Sequence, residues 1–182
     1  FQSRAFAVAD HQIAHIYVAD AADRETVARL LEAEDGVARV LRAEDKLREG
    51  LDHARAGDLV ALAAPDAWFT YPYWLDPAKA PDFARTVDIH RKPGYDPCEL
   101  FLDPGLCCPR LRAGVRLVQK KLGFRTRFDV IPLDPRLVKG SHGLRPADAL
   151  DGPVLLTTAH PPPDNPALTD VRDYVLKVLG LG

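Results

Sequence analysis

The sequence predicts an α/β fold built as layers around one core, with an α+β arrangement as the open alternative. Hydrophobic residues make up 47% of the 182 residues, enough to bury a sizeable core. Segments with strand patterns and segments with helix patterns follow one another without clean alternation. The length fits one domain of ordinary size or a large piece of a bigger one.

The first half of the chain contains most of the predicted strands. Segments rich in Val, Ile, Phe and Tyr predict strands, and a run of small aliphatic residues predicts a buried strand. In the predicted helix Val27, Leu30 and Leu31 share a face, Asp23 caps the start and Gly36 ends it. In order, the predicted elements are strands at 4–8 and 14–18 with a tight connection at 10–12, a helix at 23–34, a strand at 37–41, a short polar helix at 44–49, a buried strand at 59–64 and an extended aromatic segment at 68–73.

The second half begins with a proline-rich stretch at 72–109 that has little periodicity and cannot form a regular helix or a central strand. Further on, apolar stripes and helix-ending glycines predict two helices. Asn165 is expected to cap the last helix, with Pro166 at its first position. The predicted elements are a helix at 110–123 with an apolar stripe of Leu111, Val115, Val118 and Leu122, a strand at 128–133, a loop at 134–151, a strand at 154–158 and the final helix with Leu168, Val171, Val175 and Val178 as its buried stripe.

Charge and composition exclude several classes of function. The formal net charge of -2 provides no basic footprint for nucleic acid or an anionic membrane, so we expect neither as a partner. No apolar run is long enough to cross a bilayer. Three clustered cysteines, Cys98, Cys107 and Cys108, favour reduced structural thiols in a cytoplasmic protein over a disulfide framework.

His142 is the first candidate for a metal ligand. It lies in the segment KGSHG at 139–143, between two predicted strands, and its neighbouring glycines let the backbone turn sharply. A neutral imidazole in such a loop is a common zinc ligand. An ordinary turn residue is the open alternative.

His90 is the second candidate, in an irregular polar loop at 86–97. If this segment is extended, Asp88 and His90 point the same way, so the carboxylate orients the imidazole or shares a metal with it. Arg91 and Lys92 are suited to meet a phosphate. A surface loop held by its own salt bridges is the open alternative.

His11 and His15 have the H-x-x-x-H spacing of a metal pair, but they straddle a predicted turn and strand, and the Glu of H-E-x-x-H is missing. A half-buried, hydrogen-bonded pair is the better interpretation. The sequence has no phosphate-binding P-loop, no dinucleotide-binding motif and no nucleophile elbow. A Ser-His-Asp triad would have to use one of its two serines, Ser3 or Ser141, and Ser141 beside His142 has the wrong spacing for proton relay.

Three stretches of the chain resemble the nucleotide pyrophosphatase/phosphodiesterase branch of the alkaline phosphatase superfamily. They are AWFTYPYW with PDFAR within 67–85, DIHRKPGYDP at 88–97, and KGSHG at 139–143. The resemblance implies part of an alkaline-phosphatase-like three-layer α/β fold, with a central mixed sheet and flanking helices. Residues 1–182 are then the C-terminal part of one catalytic domain, with an irregular proline-rich insertion at 72–109.

The resemblance also implies a reaction and its site. Members of this family hydrolyse phosphodiester or related phosphate-ester bonds with a Thr or Ser nucleophile and two divalent metals, usually zinc. His142 matches the last metal-binding His of the family. We expect His90, Lys92 and Tyr95 to contribute to the substrate cleft.

The chain departs from the family pattern near its start. The first metal-binding Asp, the nucleophile and an Asp-x-x-x-His pair are expected before Phe1, so we expect a fragment whose nucleophile lies upstream; the missing initiator Met agrees, although a complete processed chain is an alternative. Asp10 and His11 resemble the family's Asp-His pair, but Gln12 stands where Gly normally follows, and the position is later than expected. From the sequence we therefore assign them no ligand role.

The leading hypothesis is a metal-dependent hydrolase of a small phosphate ester, which as an isolated fragment binds zinc weakly and turns over nothing. One alternative is a non-catalytic binding or assembly module that keeps the fold and uses its proline-rich, aromatic middle as a partner surface. Another is a phosphate-binding protein that uses Arg91, Lys92 and the basic side of the helix at 110–123.

Overall fold

The structure is a computed structural model that describes residues 3–87, 97–158, 161–162 and 164–181. The chain divides into two compact units, Phe1–Leu144 and Arg145–Gly182. Within the described residues, we find no helix with the length and apolar character needed to span a membrane.

A four-stranded sheet in the order β1-β2-β4-β3 forms the centre of the first unit. Its strands are β1 (Ala5–Asp10), β2 (Ile13–Val18), β3 (Val37–Leu41) and β4 (Leu59–Ala63). All three pairings are antiparallel, so the expected mixed sheet is wrong for the described residues. The two-residue connection between β1 and β2 explains part of this, because strands joined by so short a loop pair antiparallel. The four predicted strands of this sheet are confirmed to within two residues at each end.

Helix α1 (Arg24–Glu32) covers one face of the sheet. Val27 and Leu31 pack against the core, whereas Leu30, the third residue assigned to the same helix face, is exposed. Ala28 takes the central position instead, where a small side chain allows helix and sheet to approach closely. The buried cluster consists of Ala14, Ile16, Val18, Ala28, Val40, Leu59 and Ala61.

Helix α2 (Ala43–Arg48) confirms the predicted short polar helix. It follows Arg42, whose guanidinium donates to Glu25 at 3.1 Å and to Glu32 at 2.7 Å, both on α1. Asp23 stands at the N-terminus of α1, but its carboxylate accepts from Arg4 and not from the helix backbone. These exposed ion pairs connect the sheet edge and the two helices at modest energetic gain.

Helix α3 (Pro109–Lys121) confirms the predicted helix, but not the burial of its apolar stripe. On its basic side, Arg116 Nε donates to Asp129 at 2.8 Å, and Arg112 donates to the same carboxylate. Two of the cationic side chains of the helix therefore form ion pairs within the protein. The four stripe residues Leu111, Val115, Val118 and Leu122 are 48–69% exposed.

The predicted strand at 128–133 is wrong, because within the described residues the segment makes one isolated bridge, Thr86 with Asp129. Val130 and Ile131 are nevertheless buried. The apolar pattern of this segment therefore indicates burial but not strand pairing. The described parts of 72–109 contain short 3-10 turns at Pro77–Lys79 and Pro97–Leu100 before α3 begins. Cys98, Cys107 and Cys108 all lie within the described residues and form no disulfide, and of these three Cys98 is buried whereas the other two are exposed.

The second unit contains helix α4 (Asp170–Val178), which begins later than predicted. Asn165 has a positive φ of 49°, and Thr169 occupies the N-cap position, so the predicted Asn165 cap is wrong. The predicted strand at 154–158 is also wrong: Val154 and Leu156 are exposed in irregular chain. A strand needs a partner for its backbone groups, and apolar content alone does not supply one.

We predict opposite effects for two glycine-to-alanine changes. A Cβ on Gly57 would lie 2.5 Å from the backbone N and 2.7 Å from the backbone O of Ile16, and backbone cannot yield as a flexible side chain can. Gly57→Ala should therefore cost about 1–3 kcal/mol of unfolding free energy or more. Gly114 lies in α3 with open space around it, so Gly114→Ala should gain about 0.5–1 kcal/mol. Urea unfolding of both variants checks this, and equal effects would contradict the strand packing described here.

A second prediction concerns acid stability. Hydrogen bonds from Arg116, and after it Arg112, hold the pKa of Asp129 well below its usual range, with burial opposing them. Because the folded-state pKa is depressed, the unfolded chain takes up the proton first as the pH falls. The stabilisation is thus present above the unfolded pKa of about 3.9 and is lost as the pH falls below it.

Asp129→Asn should therefore be less stable than the wild type by about 1–2 kcal/mol at pH 7, with the difference shrinking towards pH 3. Urea unfolding of both proteins from pH 7 to pH 3 measures it. Asp35→Asn, at an exposed position, is the matched control and should show almost no difference. A pH-independent difference for the Asp129 variant would rule out the carboxylate charge as the cause.

Candidate functional site

The tight turn between β1 and β2 carries the first two residues of the site. β1 ends at Asp10, His11 and Gln12 form the loop, and β2 begins at Ile13. His11 has a positive φ of 55°, at the first loop position, where a type II′ turn favours glycine. A side chain in this left-handed region costs about 1–2 kcal/mol, and such strain is concentrated at functional sites.

The loop at 139–143 lies against this turn. The backbone N–H of Gln12 donates to the carbonyl oxygen of His142 at 2.9 Å. Gly143 has a φ of 103°, and a Cβ on it would lie 3.2 Å from Cγ2 of Ile13 and 3.4 Å from the carbonyl oxygen of Asp10. Glycine therefore meets both requirements here, a left-handed conformation and close approach to the hairpin.

Asp10, His11 and His142 form a cluster of three potential metal ligands at this contact. One donor atom from each residue lies within 4.8 Å of the others. Nε2 of His142 is 4.0 Å from Oδ1 of Asp10, and the two imidazole centroids are 4.1 Å apart. The side chains of Asp10 and His142 are 65% exposed, whereas His11 is 7% exposed. The cluster thus has one fixed, buried member and two members that are open to solvent.

Aromatic side chains surround His11. The ring centroid of Trp68 lies 6.0 Å from that of His11, and Tyr71 meets the imidazole edge-on at 5.9 Å. Burial lowers the pKa of His11, the neighbouring His142 lowers it further, and Asp10 opposes both. The imidazole is therefore held in its neutral form, which is the form that binds a metal.

An open cleft of about 500 Å³ adjoins the cluster. Two of its lining residues are chain neighbours of the cluster: Gln12 directly follows His11, and Ser141 directly precedes His142. Lys139 places a cation at its edge, whereas the guanidinium of Arg136 donates to Asp134 at 2.8 Å. Trp68 and Thr70 also line the cleft. The lining thus combines an aromatic surface with the ammonium group of Lys139.

Within the described residues, the candidate histidines of the sequence analysis lie in different environments. His142 joins the cluster, but its side chain is largely exposed and does not reach into the interior as a buried ligand. His90, Lys92 and Tyr95 lie outside the described residues, so their predicted role stays a prediction. His15 takes the structural role favoured for it, since its Nδ1 accepts from the backbone N–H of Gly57 at 3.1 Å.

The sequence analysis assigns Asp10 and His11 no ligand role, because Gln12 follows where the family has glycine and because the pair lies later than expected. The structure places both beside His142. The informative signal was the Asp-His dipeptide at the end of a strand, combined with its resemblance to the family's Asp-His pair.

The family model for type I phosphodiesterase / nucleotide pyrophosphatase matches residues 2–96, just over half of the 182-residue chain. The chain belongs to this family. Searches of curated proteins and of solved structures found no match. The matched range of the type I phosphodiesterase / nucleotide pyrophosphatase family includes Asp10 and His11, and His142 lies beyond it.

The contact between the 139–143 loop and the hairpin yields a prediction. Gly143→Ala should push the loop away from Ile13 and destabilise the chain by about 1 kcal/mol or more. Gly140→Ala, in the same loop with nothing within 4 Å of the new Cβ, is the matched control. Nuclear Overhauser contacts between the rings of His11 and His142 should vanish in the first variant and persist in the second. Persistence in both would show that Gly143 does not set the contact.

Proposed function

We propose that this chain supplies metal-binding residues of a hydrolase that cleaves phosphodiester or related phosphate-ester bonds. In this proposal Asp10, His11 and His142 bind one divalent metal ion, with zinc as the expected metal. The observation that supports it is the convergence of these three donors at one turn, in a chain that belongs to a family of phosphodiesterases and pyrophosphatases.

The donor set fits zinc in its chemistry. Zinc takes imidazole nitrogen and carboxylate oxygen at about 2.0–2.2 Å, and three protein ligands leave a position open for substrate or water. Donor atoms up to 4.8 Å apart are too widely spaced for such bonds, so the set must contract by roughly 1 Å. The exposed side chains of Asp10 and His142 are free to rotate, which makes this contraction inexpensive.

Each residue contributes differently to binding. His11 provides a neutral, buried imidazole that is already oriented by the aromatic side chains around it. Asp10 supplies a carboxylate oxygen and a negative charge that offsets part of the charge of the cation. His142 arrives from a loop, so binding fastens that loop to the hairpin turn.

Asp10, His11 and His142 would hold the zinc ion, which when bound would supply Lewis-acid stabilisation of the negative charge that develops during phosphate-ester hydrolysis. Lys139, at the edge of the adjoining cleft, attracts an anionic ester towards the cluster. Trp68 presents an apolar wall to the organic part of the ester. The second zinc and the nucleophile implied by the resemblance have no assigned residues in the described part of the chain.

Zinc titration tests the metal site. We expect calorimetry to show one zinc per chain and His142→Ala to weaken binding at least about 10-fold, because one of three ligands is lost. His53→Ala is the matched control, since His53 is an exposed imidazole whose Nδ1 accepts from the Arg55 backbone N–H, remote in sequence from the cluster. Equal affinities for the two variants would exclude His142 as a ligand.

Hydrolysis of bis(4-nitrophenyl) phosphate tests the expectation that the nucleophile is upstream. With added zinc, the 182-residue chain alone should release nitrophenolate at the background rate, because metal ligands without a nucleophile do not complete the family's reaction. Rapid release that disappears in His142→Ala but persists in His53→Ala would contradict that expectation while supporting the metal site.

A further inference from the structure

Gln12 is a buried polar residue with contacts to three separate segments. It is 9% exposed. Its backbone N–H donates to the carbonyl of His142 at 2.9 Å, and its own carbonyl accepts from the N–H of Ala63 at 3.0 Å. Its side-chain amide donates to the carbonyl of Ala67 at 3.1 Å and to that of Pro65 at 3.4 Å. Gln12, in the hairpin turn, is therefore hydrogen-bonded to the end of β4, to the segment at 65–67 and to the 139–143 loop.

The side-chain amide binds the segment that leads into Trp68, a residue that contacts the cluster. Ala67 directly precedes Trp68, whose ring lies beside the imidazole of His11. The next residue, Phe69, donates its backbone N–H to the carbonyl of His11 at 2.7 Å. Losing the amide would leave the carbonyl of the half-buried Ala67 without this donor. An unsatisfied acceptor that is partly shielded from water is unfavourable, so we expect the segment to shift.

The backbone bonds of Gln12 are available to any residue at this position except proline, but the amide bonds are not. A glycine at this position would keep the backbone bond to His142, and the backbone bond from Phe69 to His11 would also remain, but both amide bonds to the segment at 65–67 would be lost. The amide is thus a second attachment of the segment that leads into Trp68.

We propose that Gln12 is a positioning residue for the metal cluster, acting by fixing the Trp68 loop against His11 and thereby the direction of the His11 imidazole. The proposal rests on the proposed function, because it requires that His11 bind the metal. Groups that orient metal ligands without touching the metal typically change affinity about 10- to 100-fold when removed.

Cobalt(II) binding to two matched variants tests this role. Gln12→Met keeps nearly the same volume but has no donor, and Gln119→Met makes the same change on α3. We expect the cobalt dissociation constant to rise about 10- to 100-fold in Gln12→Met and to stay unchanged in Gln119→Met. The visible absorption bands of the bound cobalt, which report coordination geometry, should change only in Gln12→Met.

Two metal-free measurements separate positioning from simple stability. Nuclear Overhauser contacts between His11 and Trp68 should weaken in Gln12→Met, and circular dichroism should show a retained fold. If Gln12→Met does not fold, Gln12→Asn, whose amide is one methylene shorter and cannot reach Ala67 in the same way, is judged by the same criteria.

The outcomes distinguish this proposal from the one on which it rests. A lower unfolding midpoint with a dissociation constant within threefold of the wild type would overturn the positioning role and leave the metal site intact. No cobalt or zinc binding by the wild type would overturn the metal site itself, and the positioning role with it.

Discussion

The hydrogen bond from the Gln12 backbone to the carbonyl of His142 joins two parts of the chain that are far apart in sequence. The candidate site depends on it, because one ligand comes from the 139–143 loop and two come from the hairpin turn. Sheet pairing places the turn, and a glycine with left-handed φ allows the loop to approach it. Without this contact, Asp10 and His11 would face solvent and the aromatic loop only.

The turn also combines strain with burial. His11 adopts a conformation that a glycine would take without cost, and its ring is enclosed by aromatic side chains and a second imidazole. Enclosure stabilises the strained conformation and disfavours the charged imidazole. One arrangement therefore fixes the direction of the ring and keeps it in the form that binds a metal.

Apolar surface is distributed unevenly over the molecule. The α1 face of the sheet is well packed, whereas the apolar stripe of α3 and the side chains of Phe6 and Val8 on β1 are exposed. Phe6 stacks on Tyr17 with ring centroids 5.0 Å apart, which shields only part of that face. These residues have the periodicity of core elements, so a periodic pattern predicts the type of element more safely than it predicts what covers it.

Local patterns in the sequence determined the elements that hold their own hydrogen bonds or pair with a near neighbour: the β1–β2 hairpin, β3, β4, α1, α2 and α3. They also marked His142, because its flanking glycines are visible without any partner. The strands that these patterns predict at 128–133 and 154–158 are wrong, because these apolar segments do not pair with another strand within the described residues. The predicted start of α4 is also wrong, because the helix begins at Asp170, after Asn165. Only the tertiary structure decided that β4 pairs antiparallel with both β2 and β3, and that Asp10 and His11 meet His142. These pairings and contacts depend on backbone groups that are remote in sequence and carry no local signature.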